Sequence, residues 1–211
     1  MRSPDFFDRV IFGLDNGLRT LFAQPVSARR QPDTDAALVP LSPEDKLTAI
    51  KLMRVNHSGE VAAQALYQGQ ALTARTLEAR TLLLEAAKEE QDHLAWCDSR
   101  IEALGGKKSL LNPLWYAGSF ALGVASGVLG DKWNMAFLAE TERQVEGHLA
   151  EHLDRLPIHD TQSRAVIEQM RADEARHAQT AVNHGAAEMP EAVKRVMKLG
   201  SKVMTTTSYW V

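Results

Sequence analysis

Glu90-Gln91-Asp92-His93 and Glu174-Ala175-Arg176-His177 write one Glu-x-x-His pattern twice, and each copy follows a lone glutamate, Glu60 before the first and Glu142 before the second. Residues three apart in an α-helix project from one face, so each copy can offer a carboxylate and an imidazole to an ion beside the helix axis. A glutamate from each of two further helices would complete a set of four carboxylates and two imidazoles. Such an oxygen-rich set suits iron or manganese better than zinc, which takes fewer ligands with more nitrogen or sulfur. Four negative charges also balance two divalent ions, which lowers the cost of burying the cluster. The six candidate ligands, and with them the candidate catalytic residues, are Glu60, Glu90, His93, Glu142, Glu174 and His177.

The rival reading is Glu and His solvated on exposed helix faces. Matched spacing separates the two: the step from Glu90 to Glu174 equals that from His93 to His177, and the step from Glu60 to Glu142 nearly equals both. Asp173 can accept the remaining imidazole N–H of His93 from a neighbouring helix, with a surface Asp as the plain alternative. Glu85, Glu89 and Asp92 are expected to point away into solvent. His57, His148, His152, His159 and His184 have no counterpart at the repeat spacing, although His148 and His152 share a face that could border the site entrance.

The elements that must position these residues are helices. Ser42-Pro43-Glu44-Asp45 is a helix start, with proline in the first turn and acids near the positive end of the dipole. Helices are expected from there to about Thr76 (Glu60), from Leu77 to Leu104 (Glu90, His93) before Gly105-Gly106, from Lys132 to Leu156 (Glu142) before Pro157, and from Thr161 to His184 (Glu174, His177) before Gly185. No strict alternation marks a strand. Two such pairs joined by one long crossover give an all-α, ferritin-like four-helix bundle. Residues 1–44 form an amphipathic N-terminal helix and Pro-rich linker, and residues 45–211 the bundle with a C-terminal amphipathic segment.

Composition excludes several classes. A chain of 211 residues suits one well-buried domain, and a net charge of -3 with pI near 6.2 gives no reason to invoke nucleic acid. The single Cys97 cannot form an internal disulfide, which suits a reducing compartment. No phosphate-binding Gly-Lys-Ser/Thr loop, Gly-x-Ser-x-Gly elbow or dinucleotide fingerprint occurs. Asp5, Asp8 and Asp15 interrupt every apolar run at the N-terminus, against a secretory signal.

Apolar helical spacing recurs at Phe6, Phe7, Val10, Ile11, Leu14, Leu18, Leu21 and Phe22, for which docking on the bundle is the default and membrane insertion the alternative. The stretch from Ser109 to Gly130 carries no charge and is long enough to span a bilayer. A single crossing would leave Glu60 and Glu90 on one side and Glu142 and Glu174 on the other, so the segment reads instead as the crossover, with Gly123 and Gly127 allowing close helix packing. Lys107 and Lys108 before it, and Val193, Val196, Met197, Val203 and Met204 interleaved with Lys194, Arg195, Lys198 and Lys202, suit an anionic membrane surface.

Arg54-Val-Asn-His-Ser-Gly-Glu60, Glu89-Glu90-Gln-Asp-His93, the Gly-rich crossover ending Leu129-Gly-Asp-Lys132, Ala139-Glu-Thr-Glu142-Arg and Asp173-Glu174-Ala-Arg-His177 together resemble the demethoxyubiquinone hydroxylase family of ubiquinone biosynthesis over residues 45 to 185. The resemblance implies a di-iron monooxygenase with the six residues above as ligands, Glu90 and Glu174 as bridges, and O2 as co-substrate. It further implies a polyprenylated demethoxyubiquinol as substrate, electrons from that quinol or from NADH, and a peripheral enzyme on the cytoplasmic face of the cell membrane. A lipid-presenting protein partner and a homo-oligomer stay open. The rivals are a ferritin-like iron-storage or peroxide-reducing protein and a non-catalytic isoprenoid-lipid-binding protein. Residues 1–44 extend beyond the family's shorter animal members.

Overall fold

The computed structural model describes residues 6–33 and 39–211; residues 1–5 and the side chains of Phe6, Arg9 and Val10 lie outside the described residues, and with them the expectations for Asp5, Phe6 and Val10. Among the described residues the chain is helical throughout: α1 (Phe6–Phe22), α2 (Pro43–Thr73), α3 (Leu77–Ala103), α4 (Asn112–Val128), α5 (Asp131–Arg155), α6 (Thr161–Asn183) and α7 (Glu191–Trp210). The expected bounds of the four bundle helices hold to within a few residues because the ends are chemically marked. Ser42 Oγ accepts from the Asp45 N–H (3.1 Å), Thr76 Oγ1 from Ala79 (3.2 Å) and Asp160 Oδ1 from Ser163 (3.1 Å), each satisfying a donor the helix cannot. Gly105, at φ 69°, follows α3, and Gly185, at φ 83°, follows α6, a backbone region open to glycine.

Helices α2 and α3 form one antiparallel hairpin and α5 and α6 the other, a ferritin-like arrangement whose two hairpins are linked through α4. The core divides along the bundle axis. At one end Leu52, Met53, Trp96, Cys97, Ile101, Leu149, Ile167 and Met170 pack together; at the other, Leu66, Tyr67, Leu83, Met135, Leu138 and Ala181. Each fully buried Leu, Ile or Met contributes roughly 1.5–3 kcal/mol, and these two clusters bracket the stretch of bundle that carries the polar site. Cys97 is a packed core side chain, 3.8 Å from Met170 Sδ.

The crossover runs back along α2. A Cβ on Gly123 would land on the Leu66 carbonyl, and one on Gly69 on the Phe120 carbonyl, so the two backbones touch where both helices lack side chains. Asp131 ties the far end of α4 to the α2–α3 turn, accepting from the Arg75 and Thr76 N–H groups (2.9 Å each) and Thr76 Oγ1 (2.7 Å). Among the described residues, no helix is long and apolar enough to cross a membrane.

Helix α1 docks less fully than its pattern suggests. Thr20 is buried and donates to Gln64 Oε1 on α2 (2.7 Å), and Gly17 lies against Tyr116 on α4, yet Phe7, Ile11, Phe12, Leu14, Leu18 and Phe22 are exposed.

The Gly123 contact is directly testable. Gly123→Val should cost about 2 kcal/mol by overpacking, whereas Gly118→Ala, placed in open space on the same helix, should leave stability unchanged or raise it by about 0.5–1 kcal/mol. Denaturant unfolding of the two variants measures both; equal midpoints would mean that the helices are not in backbone contact.

Candidate metal centre

Helix α2 contributes Glu60, α3 Glu90 and His93, α5 Glu142, and α6 Glu174 and His177, so each bundle helix supplies the residues its pattern marked. The structure brings all six together in two overlapping groups, Glu60, Glu90, His93 and Glu174 in one, and Glu90, Glu142, Glu174 and His177 in the other. Within each group the donor atoms lie within 4.8 Å of one another and every residue is buried.

Glu90 and Glu174 belong to both groups, and their oxygens divide between them. His93 Nδ1 lies 3.0 Å from Glu90 Oε2, 3.2 Å from Glu174 Oε1 and 3.7 Å from Glu60 Oε2. His177 Nδ1 lies 3.4 Å from Glu90 Oε1, 3.6 Å from Glu174 Oε2 and 3.7 Å from Glu142 Oε1. Each shared carboxylate thus turns one oxygen toward each imidazole, the disposition a bridge between two cations requires. Glu90 Oε1, both Glu174 oxygens and His177 Nδ1 are buried without a hydrogen-bond partner. Orphaned acceptors at such depth cost about 1–3 kcal/mol each or more for charged groups, and two divalent ions would satisfy them. Hard oxygen donors with two imidazoles fit iron or manganese.

The outward imidazole nitrogens are held by a matched pair of carboxylates. His93 Nε2 meets Asp173 Oδ2 at 3.0 Å, as the sequence predicts, and His177 Nε2 meets Glu89 Oε2 at 3.2 Å. Arg176 grips both carboxylates, Asp173 at 2.8 Å and Glu89 at 2.6 Å. The expectation that Glu89 and Asp92 point into solvent is thus corrected. Glu89 is half-buried beneath Arg176 and His177, while Asp92 is buried, its Oδ1 accepting from Ser27 Oγ (2.9 Å) and the Ala28 N–H (2.6 Å). Glu85 is exposed, as expected. The signal for Glu89 is present in the repeat: it precedes Glu90 as Asp173 precedes Glu174, at the separation that relates the two Glu-x-x-His copies.

Tyr67 is the other residue that sequence reasoning missed. Its hydroxyl donates to Glu142 Oε1 at 2.5 Å, and burial together with the Glu142 charge pushes the phenol well above its ordinary range, so it stays a donor. The remaining histidines stand apart from the cluster. Buried His57 faces Asn112 Nδ2 through Nδ1 at 3.2 Å, and burial lowers its pKa to about 3. His148 and His152, 3.9 Å apart between ring centroids, line a cavity between α5 and α7.

Burial pushes the Glu60 and Glu142 carboxyls well above the ordinary range. For Glu90, burial is outweighed by the His93 charge and by the two imidazoles that face its oxygens, and its pKa falls. Burial opposes charge on the imidazoles too, but the Glu90 charge and surrounding carboxylates hold His93 well above its usual value, and the Glu174 and Glu90 carboxylates facing it hold His177 at about 10. Without metal, the imidazoles therefore stand in for the cations as protonated partners.

Two consequences are measurable. Glu174→Ala removes a donor from both groups and should abolish loading of both ions, whereas Glu60→Ala touches one group and should retain about one; metal analysis alongside circular dichroism decides, and full loading of Glu174→Ala would refute a shared bridge. The second concerns pH. Imidazolium stability is complete below about pH 6.5 and is lost as pH rises through the raised folded values, about 10 for His177. The raised Glu60 and Glu142 carboxyls act in the same direction. Metal-free protein should therefore lose stability as pH rises from about 6.5 to about 10, and the melting-temperature gap to metal-loaded protein should widen; a constant gap would argue against these protonated imidazoles.

Comparison with known proteins agrees with the geometry. The family model described as ubiquinone biosynthesis protein COQ7 matches residues 48–208. A 3-demethoxyubiquinol 3-hydroxylase of Chromobacterium violaceum is 61% identical over 204 residues, spanning 97% of this chain and 99% of its own. One from Nitrosomonas eutropha is 58% identical, spanning 97% and 98%, and one from Nitrosococcus oceani 51% identical, spanning 97% and 96%. With the matching family model covering most of its length, and relatives aligned from end to end, this chain belongs to the COQ7 family of ubiquinone biosynthesis proteins.

Proposed function

We propose that this chain is a 3-demethoxyubiquinol 3-hydroxylase whose two iron ions are held by Glu60, Glu90, His93, Glu142, Glu174 and His177. The observation that carries the reading is the pair of buried donor groups sharing Glu90 and Glu174, in a chain whose named relatives are such hydroxylases. When bound, a ferrous pair supplies the activation of O2 by which one oxygen atom enters the quinol ring and the other leaves as water, two further electrons coming from the quinol or from NADH.

The protein's part is positioning and exclusion. Four helices fix the donors on rigid elements, Asp173 and Glu89 set the imidazole orientation, and Tyr67 holds Glu142 by its hydroxyl. The apolar clusters at both ends keep water from the carboxylates, so the ions rather than solvent answer their charge.

A polyprenylated ring needs access from lipid, and the surface suits that. Leu110, Leu114, Leu122 and Val128 on or beside α4, Ile11, Phe12 and Leu18 on α1, and Val196, Leu199 and Val203 on α7 are all exposed. Trp115 Nε1 donates to Ser208 Oγ (3.0 Å), joining α4 to α7, and Tyr116 packs on Gly17, joining α4 to α1. The three helices thus adjoin through α4. The protein is then a peripheral enzyme on the cytoplasmic face of the cell membrane, with residues 1–44 an addition to the bundle of 45–211.

Incubating iron-loaded protein with a short-tailed demethoxyubiquinol, reductant and labelled O2 should yield a quinol heavier by one labelled oxygen atom. Iron loading with O2 consumption and an unchanged quinol would instead indicate a storage or peroxide-reducing protein, and lipid binding without iron an isoprenoid-binding one. Leu122→Glu should reduce flotation with anionic vesicles while leaving iron content intact; undiminished flotation would remove α4 from the membrane face.

A further inference from the structure

The internal repeat that matches Glu89 with Asp173 also matches Asp92 with Arg176, at the same separation along the chain. The two halves of the centre are unlike at this position. On α6, Arg176 neutralises the carboxylates behind both imidazoles; on α3 the equivalent residue is an acid and cannot. The non-helical segment after α1 supplies the missing cation. Arg29 Nε donates to Asp92 Oδ2 at 2.7 Å and Nη1 to Asp173 Oδ2 at 2.9 Å, while Nη2 lies 3.3 Å from His93 Nε2. Its guanidinium also covers the Trp96 ring at 4.8 Å.

We infer that Arg29 is a positioning residue of the metal centre, carried in by the segment around Ser27–Arg29 and anchored on Asp92 so as to fix Asp173 behind His93. The inference rests on reading the six side chains as metal ligands. Two details make Arg29 more than a surface ion pair. Asp92 gathers Ser27 Oγ and the Ala28 N–H as well as the guanidinium, so the segment's own backbone is aimed by the same buried carboxylate. The bonds on Asp173 are also divided by oxygen: Oδ1 accepts from Gln169 (3.1 Å) and Arg176 (2.8 Å), whereas Oδ2, among the described residues, serves only His93 and Arg29. A planar fork that spans two carboxylates is what arginine offers and lysine lacks.

Removing the guanidinium frees the very oxygen that orients His93 and removes no bond of Arg176, Glu89 or His177. The effect should be one-sided. Arg29 precedes the four bundle helices in the chain, so a segment outside them completes the centre inside.

The test follows release of ferrous iron from anaerobically loaded full-length protein into a chelator. In Arg29→Met, one of the two ions should leave about tenfold faster or more, the usual effect of losing a residue that orients a ligand, and the other at the parental rate; its Mössbauer spectrum should show one altered ferrous site. Arg29→Lys, able to bond Asp92 but not to span both acids, should fall between, and it carries the comparison if the methionine variant does not fold. Arg30→Ala, which removes an exposed neighbouring charge paired with Asp33, should release both ions as the parent does. Parental release from Arg29→Met, or equal acceleration of both ions, overturns the assignment while leaving the ligand set standing; a parent protein that takes up no ferrous iron overturns both.

Discussion

Four carboxylates brought to within ligand distance of one another in a dry bundle are the constraint to which the rest of the molecule answers. At an effective dielectric near 20, two unit charges about 4 Å apart interact by about 4 kcal/mol, and here several such pairs coincide. Positive charge must be supplied, and it comes in layers: the two imidazoles face the carboxylates, outer acids orient the imidazoles, and arginines balance those acids. Imidazoles and outer acids both come from α3 and α6, whereas the arginines come from α6 and from the segment after α1. The polar centre thereby selects one mutual arrangement of the four helices, which apolar packing alone would fix less uniquely.

The hydrophobic clusters above and below have a complementary role. They hold the helices at the separation the donors need, and they deny the carboxylates the water that would otherwise solvate them. Long, capped helices supply the stiffness. Ser42, Thr76 and Asp160 end the helices by side-chain hydrogen bonds, so the phase of each helix, and with it the face that Glu60, Glu90 or Glu174 presents, is set locally as well as by packing.

The ligand cluster is legible in the sequence because helical geometry is short-range and the repeat doubles it: Glu90 and His93 must share a face, and the same spacing at Glu174 and His177 names the partner helix. The bundle's bounds are legible from Pro43, Gly105, Pro157 and Gly185. The outer residues read less evenly. Asp173 is found, but Glu89 is assigned to solvent although the same repeat equates the two. Asp92 is misplaced for a different reason, since its burial depends on the segment after α1 folding over it from far earlier in the chain, and no periodicity reports that. Arg29 sits in a stretch whose prolines announce irregular backbone without saying where that backbone goes. Tyr67 lies two helical turns after Glu60, on the same face of α2, but nothing in the pattern distinguishes a hydroxyl aimed at Glu142 from an ordinary core aromatic.

The buried residues of α4 are Asn112, Gly123, Ser126 and Gly127, while many of its leucines and valines are turned outward. This helix is inside-out relative to a water-soluble one: it is clasped to α2 by the near-contact of two peptide chains and a few polar bonds, and the attachment consumes almost none of its greasy surface. That surface is spared rather than left over. A helix anchored in this manner keeps its apolar side chains free of the contacts that hold it to the protein, so changing those side chains for other apolar ones should be nearly free, and the glycines, which carry no side chain at all, are where the helix is intolerant.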